Sequence, residues 1–282
     1  MSARFQYPFK DCYATIDGVR LHYLDEGQGP VIWLMHGNTT WSYLYRKMIP
    51  VLVQAGHRAV APDMFGFGRS DKPQDDADYT FDFHRTFLLA FVERLDLKGI
   101  TLVVQDWGGL LGLTLPMDMP ERFSRLLVMN TMLATGDEPL SEGFIAWRAW
   151  VAKNPALDCG KLMTRSCPHL SAAEAAAYEA PYPDASYTAG ARRFPALVPD
   201  SPQAPGAALS RKARDWWMNA WKGETFMAVG AKDPVLGVPV MNRLRGWIRN
   251  CPEPYVHPDA GHFAQEWGDD IARRALAHLS RR

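Results

Sequence analysis

One acidic residue stands at the most constrained point of this chain of 282 residues. The apolar run Ile100–Gln105 is typical of a buried strand, Asp106 follows it at once, and Gly108 and Gly109 precede an apolar segment that begins at Leu110. This pattern predicts a strand, a sharp turn and a helix, an arrangement that presents one side chain at the turn, usually a serine. A carboxylate that attacks saturated carbon forms an ester, which water can cleave. A serine would form an ether, which water cannot cleave.

The composition limits the partners of the chain. Lysine and arginine together number 31, and so do aspartate and glutamate, so the net charge is zero and no charged run suggests nucleic acid. This balance favours a neutral substrate. No stretch of about 18 apolar residues is present and the start lacks the apolar centre of a signal peptide, so we expect no membrane span and no secretion. The four cysteines lack metal-like spacing, and we therefore expect a cytoplasmic protein with reduced thiols and no bound metal.

Short apolar strands alternate with amphipathic helices in two blocks of the sequence. This alternation predicts an α/β fold with a mainly parallel sheet that is covered by helices on both faces. The predicted strands are Arg20–Leu24, Val31–Met35, Ala59–Ala61, Ile100–Gln105, Arg125–Asn130, Thr225–Val229 and Tyr255–Val256. The predicted helices of these blocks are Tyr43–Gln54, Phe81–Leu95, Leu110–Asp118, Val240–Arg249 and Phe263–Leu279.

The alternation stops between Leu133 and Arg214. This segment has no run typical of a buried strand, but it has alanine-rich helical pieces, such as Ser171–Glu179, separated by prolines. It is too long for an ordinary loop. We therefore predict a helical cap at 133–214, inserted into a core formed by 1–132 and 215–282.

Three further signals belong with Asp106. The predicted strand Val31–Met35 is followed by a glycine turn before Asn38, and such a turn can point backbone N–H groups at a developing oxyanion. Asp233 lies in a loop after a predicted strand, and His262 lies in a loop before the last predicted helix. The order nucleophile, acid, histidine is typical of one group of hydrolases, and a parallel sheet brings such loops to one edge.

The chain resembles the haloalkane dehalogenases of the α/β-hydrolase fold, nearly from end to end. The resemblance implies a mostly parallel eight-stranded sheet, flanked by helices, with an inserted helical cap. The Gln105-Asp106-Trp107 element is specific, because the related epoxide hydrolases usually carry histidine before the aspartate. The matching stretches are His36–Arg46, Pro62–Pro73, Val104–Leu111 and Asp259–Phe263.

The resemblance also implies a mechanism. Asp106 would displace halide and become an alkyl ester, His262 would act as the general base toward water, and Asp233 would be the acid of the triad. The backbone N–H groups of Asn38 and Trp107 would form the oxyanion hole. The substrate would be a small neutral halogenated hydrocarbon, the other reactant water and one product a halide ion, with no metal or organic cofactor.

The leaving halide needs donors, because a bare anion in an apolar pocket is costly. The resemblance assigns this role to the indole N–H of Trp107 and to the side-chain amide of Asn38. One branch of the family uses a cap tryptophan, where this chain has Ser166. Some members place a glutamate where this chain has Asn130, so the acid must be Asp233. This mixture of branches leaves the substrate range open.

Other functions remain possible at this stage. An epoxide hydrolase would need phenol donors from the cap, and Tyr178, Tyr182 and Tyr187 lie in that segment. A fluoroacetate-type dehalogenase would need an Asp-Arg pair where this chain has Asp63 and Met64. A binding protein without catalytic activity could use the same scaffold. A serine esterase is excluded, because no Gly-x-Ser-x-Gly motif is present.

Overall fold

The computed structural model describes residues 5–279, and these residues form one eight-stranded sheet. The sheet order is β1-β2-β4-β3-β5-β6-β7-β8, with β2 antiparallel to both of its neighbours and the other pairs parallel. The predicted fold class is confirmed. Residues 1–4 and 280–282 lie outside the described residues. They include the ends of the predicted core segments and part of the stretch in which no signal peptide is expected. The strands are β1 Cys12–Ile16, β2 Val19–Glu26, β3 Val31–Met35, β4 Arg58–Pro62, β5 Ile100–Gln105, β6 Phe123–Met129, β7 Glu224–Gly230 and β8 Tyr255–His257.

Ten α-helices occur within residues 5–279, and none of them is long and apolar enough to cross a membrane. Short 3-10 turns at Ser42–Tyr45, Asp76–Asp78, Pro120–Arg122, Ala185–Thr188 and Ala264–Trp267 join some of them. The helices are α1 Ile49–Gln54, α2 Phe81–Arg94, α3 Trp107–Gly112, α4 Glu142–Lys153, α5 Cys159–Ser166, α6 Ala172–Glu179, α7 Ala189–Leu197, α8 Ala207–Asn219, α9 Val238–Trp247 and α10 Gly268–Leu279.

The core lies in two layers, one on each face of the sheet. Along β3, Trp33 and Met35 belong to the layer that includes α2, α3, α8 and α9, whereas Ile32 and Leu34 belong to the layer that includes α1 and α10. All five residues of β3 are buried. Because helices cover both faces, the central strands carry continuous apolar runs instead of alternating ones.

Three predicted helices differ from the observed ones by more than two residues. The helix predicted at Phe263–Leu279 is divided into a 3-10 turn at Ala264–Trp267 and α10, which begins at Gly268. The helix predicted at Tyr43–Gln54 is split into a 3-10 turn and α1, because Pro50 has no N–H and its ring would clash with a carbonyl one turn earlier. The helix predicted at Leu110–Asp118 begins earlier, at Trp107, and ends at Gly112. Pro116 disfavours helical backbone in the residue before it, which limits the extension of α3.

The first strand was not predicted. β1 lies at the edge of the sheet and alternates between exposed and buried residues, so its apolar signal is short. Its register against β2 pairs Tyr13 with His22 and Thr15 with Arg20. A five-residue strand of this kind carries too few apolar positions to distinguish it from a loop.

The segment between β6 and β7 contains α4 to α8 and, within the described residues, no strand. Ser171 caps α6 through a reciprocal pair of hydrogen bonds with Glu174, a pattern that fixes the start of a helix. α8 continues past residue 214, and the indole N–H of Trp217 donates to the carbonyl of Leu113 at 2.7 Å. The end of this helix therefore packs on the core, and the division into a core and a cap at residue 214 stays a prediction.

A buried ionic cluster joins α6 to the core. The Arg46 guanidinium contacts Glu266 at 2.7 and 2.9 Å and Glu174 at 2.7 Å, and the Tyr178 hydroxyl donates to Glu266. Burial raises the pKa of Glu266, but hydrogen bonds and attraction from Arg46 outweigh it, so the net pKa lies below the usual value. Lys47 also contacts Glu266, at 2.8 Å. Glu266 is therefore a buried carboxylate that depends on its cations.

Arg46→Met should destabilise the fold because it leaves Glu266 buried without its principal partner. Removal of one member of a buried pair typically costs about 3–5 kcal/mol, and we expect the lower end because Lys47 remains. Urea denaturation followed by circular dichroism measures the change. Arg274→Ala is the control, since it breaks a half-exposed pair with Asp270 and should change stability by only about 0–1 kcal/mol. Equal effects of both substitutions would contradict the argument.

Candidate active site

Asp106 occupies a sharp turn between β5 and α3. Its φ of 49° and ψ of −127° lie outside the regions that L-residues usually adopt. The Asp106 N–H donates to the carbonyl of Asn130 at 3.0 Å, and the Thr131 hydroxyl donates to the Asp106 carbonyl at 2.7 Å. Both contacts come from the end of β6, so the neighbouring strand holds the strained residue in place.

Three glycines allow the chain to approach this turn. An added Cβ at Gly108 would lie 2.2 Å from the carbonyl oxygen at the end of β3. One at Gly109 would lie 2.0 Å from the hydroxyl oxygen of Thr131, and one at Gly37 would lie 2.4 Å from Asp106 Oδ1. Side chains at these positions would displace the turn or the carboxylate. The glycines that suggested the turn in the sequence are therefore required by close packing.

The predicted acid and histidine lie beside Asp106. His262 Nδ1 is 2.9 Å from Asp233 Oδ2, and His262 Nε2 is 3.5 Å from Asp106 Oδ2. The backbone N–H of Val235 donates to Asp233 Oδ1 at 2.8 Å. The loops after β5, β7 and β8 thus bring the three side chains together at one edge of the sheet.

Asn130 is a participant that the sequence reasoning missed. It was considered only as a position without a carboxylate. In the structure its side-chain N–H donates to Asp233 Oδ2 at 2.9 Å, and its side-chain oxygen accepts from the Gly230 N–H at 2.9 Å. The amide therefore links the ends of β6 and β7 and helps to fix the acid. Its place directly after the strand beside β5 was the available signal.

The glycine turn after β3 lies against the other oxygen of Asp106. The Asn38 N–H donates to Asp106 Oδ1 at 2.6 Å, and the Trp107 N–H is the first amide of α3. His36 braces this turn, because its Nε2 accepts from the Met64 N–H at 2.9 Å and its Nδ1 lies 2.8 Å from the Gly37 carbonyl. Burial lowers the pKa of His36, which favours the neutral ring with the proton on Nδ1.

The predicted halide donors line one cavity with Asp106 and His262. Among the described residues the Trp107 indole N–H has no acceptor, and its ring packs on Phe194 at 4.4 Å between centroids. The Asn38 side-chain N–H donates to the carbonyl of Ala191 at 3.1 Å. An amide carries two such hydrogens, so one remains for a ligand. The cavity has a volume of about 150 Å³ and Ser166 also lines it.

Comparisons with known proteins agree with this geometry. A family model described as alpha/beta hydrolase fold matches residues 30–269. The chain is 41% identical to the haloalkane dehalogenase of Mycolicibacterium paratuberculosis, over 96% of this chain and 93% of that relative. It is also 41% identical to the haloalkane dehalogenase of Psychrobacter cryohalolentis, over 95% of this chain and 91% of the relative. The structure of the tetrameric haloalkane dehalogenase DpaA from Paraglaciecola agarilytica matches with a TM-score of 0.95 at 44% identity, covering 98% of this chain and 95% of that one.

This chain belongs to the haloalkane dehalogenase family. The structure brings together all five residues that the resemblance assigned to the site, namely Asp106, Asp233, His262, Trp107 and Asn38. Their chemical roles stay predictions. No group of three metal-ligating side chains suited to a metal ion occurs within residues 5–279.

Gln105, at the end of β5, contacts the loop that carries His262. Its side-chain N–H donates to the carbonyl of His262 at 3.0 Å, and its oxygen accepts from the side chain of Gln265 at 3.5 Å. The sequence reasoning used Gln105 only to distinguish the family from epoxide hydrolases. The contact shows that this glutamine also positions the backbone of His262 relative to β5.

The three tyrosines considered as phenol donors do not line the cavity. Tyr178 is buried against Glu266, Tyr182 is buried, and neither these two nor Tyr187 is among the described residues that line the cavity. Phenol donors to an opening epoxide are therefore not available from these positions. A fluoroacetate-type enzyme would carry its Asp-Arg pair at Asp63 and Met64. Asp63 is fully buried and does not line the cavity.

Opposing effects determine the charge of His262. Burial lowers its pKa, but attraction to Asp233 and Asp106, with hydrogen bonds to both, raises the pKa to about 10. Burial raises the pKa of Asp233. Attraction to His262 and hydrogen bonds lower this pKa by a larger amount, so the net shift is downward. The resting site therefore favours an imidazolium between two carboxylates. Its charge state depends on the charge of Asp106.

Asp106→Asn should lower the pKa of His262, because it removes one negative charge and keeps Asp233. A folded-state pKa above the ordinary value stabilises the fold below about pH 6.5, and this contribution is lost as the pH rises through the folded-state pKa. The variant should lose that contribution at a lower pH than the natural protein. An NMR titration of the imidazole signals measures the pKa directly. Asp270→Asn, at the surface, is the control, and an unchanged His262 pKa in Asp106→Asn would contradict the coupling.

Proposed function

We propose that this protein hydrolyses the carbon–halogen bond of small haloalkanes to an alcohol, a halide ion and a proton, through an ester on Asp106. The observation that carries the proposal is the meeting of a carboxylate at a strained turn with an unpartnered indole N–H in one cavity. The names of the similar proteins support the same reaction. His262, 3.5 Å from Asp106, supplies a route from the ester to the product.

The first step is displacement of halide by Asp106. Oδ1 is held by the Asn38 N–H, so Oδ2 is the oxygen that attacks carbon. A carbon–oxygen bond forms as the carbon–halogen bond breaks, and its electron pair leaves with the halide. The indole N–H of Trp107 and the second side-chain N–H of Asn38 stabilise that anion with charge-assisted hydrogen bonds, each of which contributes about 1.5–3 kcal/mol.

The second step depends on the change in charge at Asp106. Once it is an ester, it no longer holds a proton on His262, so the pKa of His262 falls and the imidazolium proton leaves to solvent. The neutral ring then takes a proton from water, and the hydroxide attacks Cγ of Asp106. The N–H groups of Asn38 and Trp107 stabilise the oxyanion on Oδ1. Collapse of this intermediate expels the alcohol and restores the carboxylate.

Asp233 supports this step without reacting. It holds the Nδ1–H of His262, so that Nε2 faces the water, and it stabilises the imidazolium that forms. Hydrogen bonds from Asn130 and Val235 satisfy its carboxylate. This arrangement supports a hydrolase over a binding protein without catalytic activity.

Purified protein given 1-bromobutane and styrene oxide in parallel should release bromide and form no diol. Bromide is measured by ion chromatography and diol by gas chromatography. Asp106→Ala should release no bromide while it keeps the circular dichroism spectrum of the natural protein. Formation of diol without bromide would support an epoxide hydrolase, and absence of both products would support a binding protein.

His262→Phe should form the ester on Asp106 but fail to hydrolyse it, because no base activates water. With excess 1-bromobutane we expect one equivalent of bromide per protein and then no further release. Mass spectrometry of the peptide that contains Asp106 should show an added butyl group. Asp106→Ala combined with His262→Phe is the matched control and should show no adduct. An adduct on another residue would mean that Asp106 is not the nucleophile.

A further inference from the structure

The side-chain amide of Asn38 is held by two backbone groups from different parts of the chain. The Thr39 N–H donates to Asn38 Oδ1 at 2.8 Å, and Asn38 Nδ2 donates to the carbonyl of Ala191 at 3.1 Å. Because the oxygen faces a donor and the nitrogen faces an acceptor, these contacts fix the orientation of the amide. The second hydrogen on Nδ2 remains for an anion in the cavity that Asn38 lines.

The acceptor of this hydrogen bond lies inside helix α7. In an α-helix, the carbonyl of residue 191 accepts a hydrogen bond from the N–H of residue 195. Residue 195 is a proline inside α7, and proline has no N–H. Ala191 is fully buried, and a buried carbonyl without a donor is costly. The Asn38 side chain therefore supplies a donor where Pro195 removes the helical one.

The proline ring also affects the direction of the Ala191 carbonyl. In a straight helix the ring would clash with the carbonyl four residues earlier, and a tilt of that carbonyl away from the helix axis relieves the clash. A tilted carbonyl is accessible to a donor from a neighbouring segment. Pro195 itself lines the cavity, so its ring and the carbonyl that it frees lie on the side of α7 that faces the candidate site.

The same face of α7 contacts the second proposed halide donor. The ring of Phe194 packs on the ring of Trp107, with 4.4 Å between their centroids. Ala191 and Phe194 are three residues apart, so they lie on one face of the helix. This face therefore holds the Trp107 indole through a ring contact and the Asn38 amide through a hydrogen bond.

We infer that Pro195 is a positioning residue for the proposed halide site, because it frees the Ala191 carbonyl to orient the Asn38 amide. The inference rests on the proposed function and adds a residue to it. An alanine at position 195 would restore the helical N–H and turn the carbonyl back along the helix axis. Asn38 Nδ2 would then share its acceptor, the amide would rotate more freely, and its second N–H would stabilise the leaving halide less well.

The test is a double-mutant cycle of Pro195→Ala and Asn38→Ala, with kcat/KM for 1-bromobutane obtained from bromide release. Asn38→Ala should lower kcat/KM by about tenfold to a hundredfold, because it removes a charge-assisted hydrogen bond. Pro195→Ala should lower kcat/KM by about twofold to tenfold, the effect of one ordinary hydrogen bond. In the Asn38→Ala background, Pro195→Ala should cost less than about twofold, because the group through which it acts is absent. An equal cost in both backgrounds would show that Pro195 acts only as part of the cavity wall and would overturn the inference.

A proton–nitrogen NMR spectrum reports on the amide without any substrate. The side-chain signals of Asn38 are identified by their absence in Asn38→Ala. In Pro195→Ala, one of the two hydrogen signals should move toward the position of a solvent-exposed amide, because its acceptor is weakened. Unchanged signals would overturn the inference. Because this measurement needs no turnover, it decides the inference even where lack of bromide from the natural protein refutes the proposed function.

Pro199→Ala is the matched control. Pro199 follows the end of α7, is buried and is not among the described residues that line the cavity. This variant removes a proline from the same segment without a change at the Ala191 carbonyl, so it should keep the natural kcat/KM and the Asn38 signals. Equal losses in Pro195→Ala and Pro199→Ala would contradict the assignment to Pro195. Thermal melts followed by circular dichroism show whether each variant is folded.

Discussion

Asp106 holds a backbone conformation that costs a residue other than glycine about 1–3 kcal/mol, and the surrounding sheet must outweigh this cost. The strain is held by main-chain and hydroxyl contacts from Asn130 and Thr131 at the end of β6. Packing of α3 against the end of β3 requires Gly108, where no Cβ fits. The carboxylate is thereby fixed above the sheet edge, and the oxyanion turn, the histidine loop and the cavity are all arranged around it.

The two carboxylates near His262 differ in surroundings, and this difference separates their tasks. The Asp233 side chain is 0% exposed, whereas that of Asp106 is 15% exposed and faces the cavity. Asp233 accepts hydrogen bonds from Asn130 and Val235 that need not change during a reaction, so it can serve as a constant charge. In the proposed mechanism Asp106 reacts with carbon and loses its charge. Both carboxylates raise the pKa of His262, but in the proposed reaction only Asp106 changes its charge.

The residues of the candidate site could be placed together from the sequence because they follow strands of a parallel sheet, whose ends meet at one edge. The hydrogen bonds that support them could not be predicted. Asn130 and Gln105 were noticed in the sequence, but their contacts with Asp233 and the His262 carbonyl depend on side-chain direction, which periodicity does not determine. The helix predicted at Tyr43–Gln54 is divided because Pro50 cannot lie in a helix interior, and the apolar spacing alone did not predict this division.

The walls of the substrate site were beyond sequence reasoning for a different reason. They come in part from α4, α5 and α7, which carry no motif, and the shape of that part depends on how these helices pack. One of these helices, α4, also contacts the loop that carries Asp233. The Ser141 hydroxyl at the start of α4 donates to the Val235 carbonyl at 2.7 Å, and an added Cβ at Gly143 would lie 2.1 Å from the Pro234 carbonyl.

These two contacts hold the first turn of α4 against the loop that carries Asp233. Ala146 and Trp150, which line a surface groove beside the cavity, lie on exposed parts of the same helix. A shift of the first turn of α4 would move Pro234 and with it Asp233. Changes at the exposed positions act on the groove without passing through that contact. The exposed positions of α4 can therefore change as long as its first turn, at Ser141 and Gly143, keeps its place on the loop that carries Asp233.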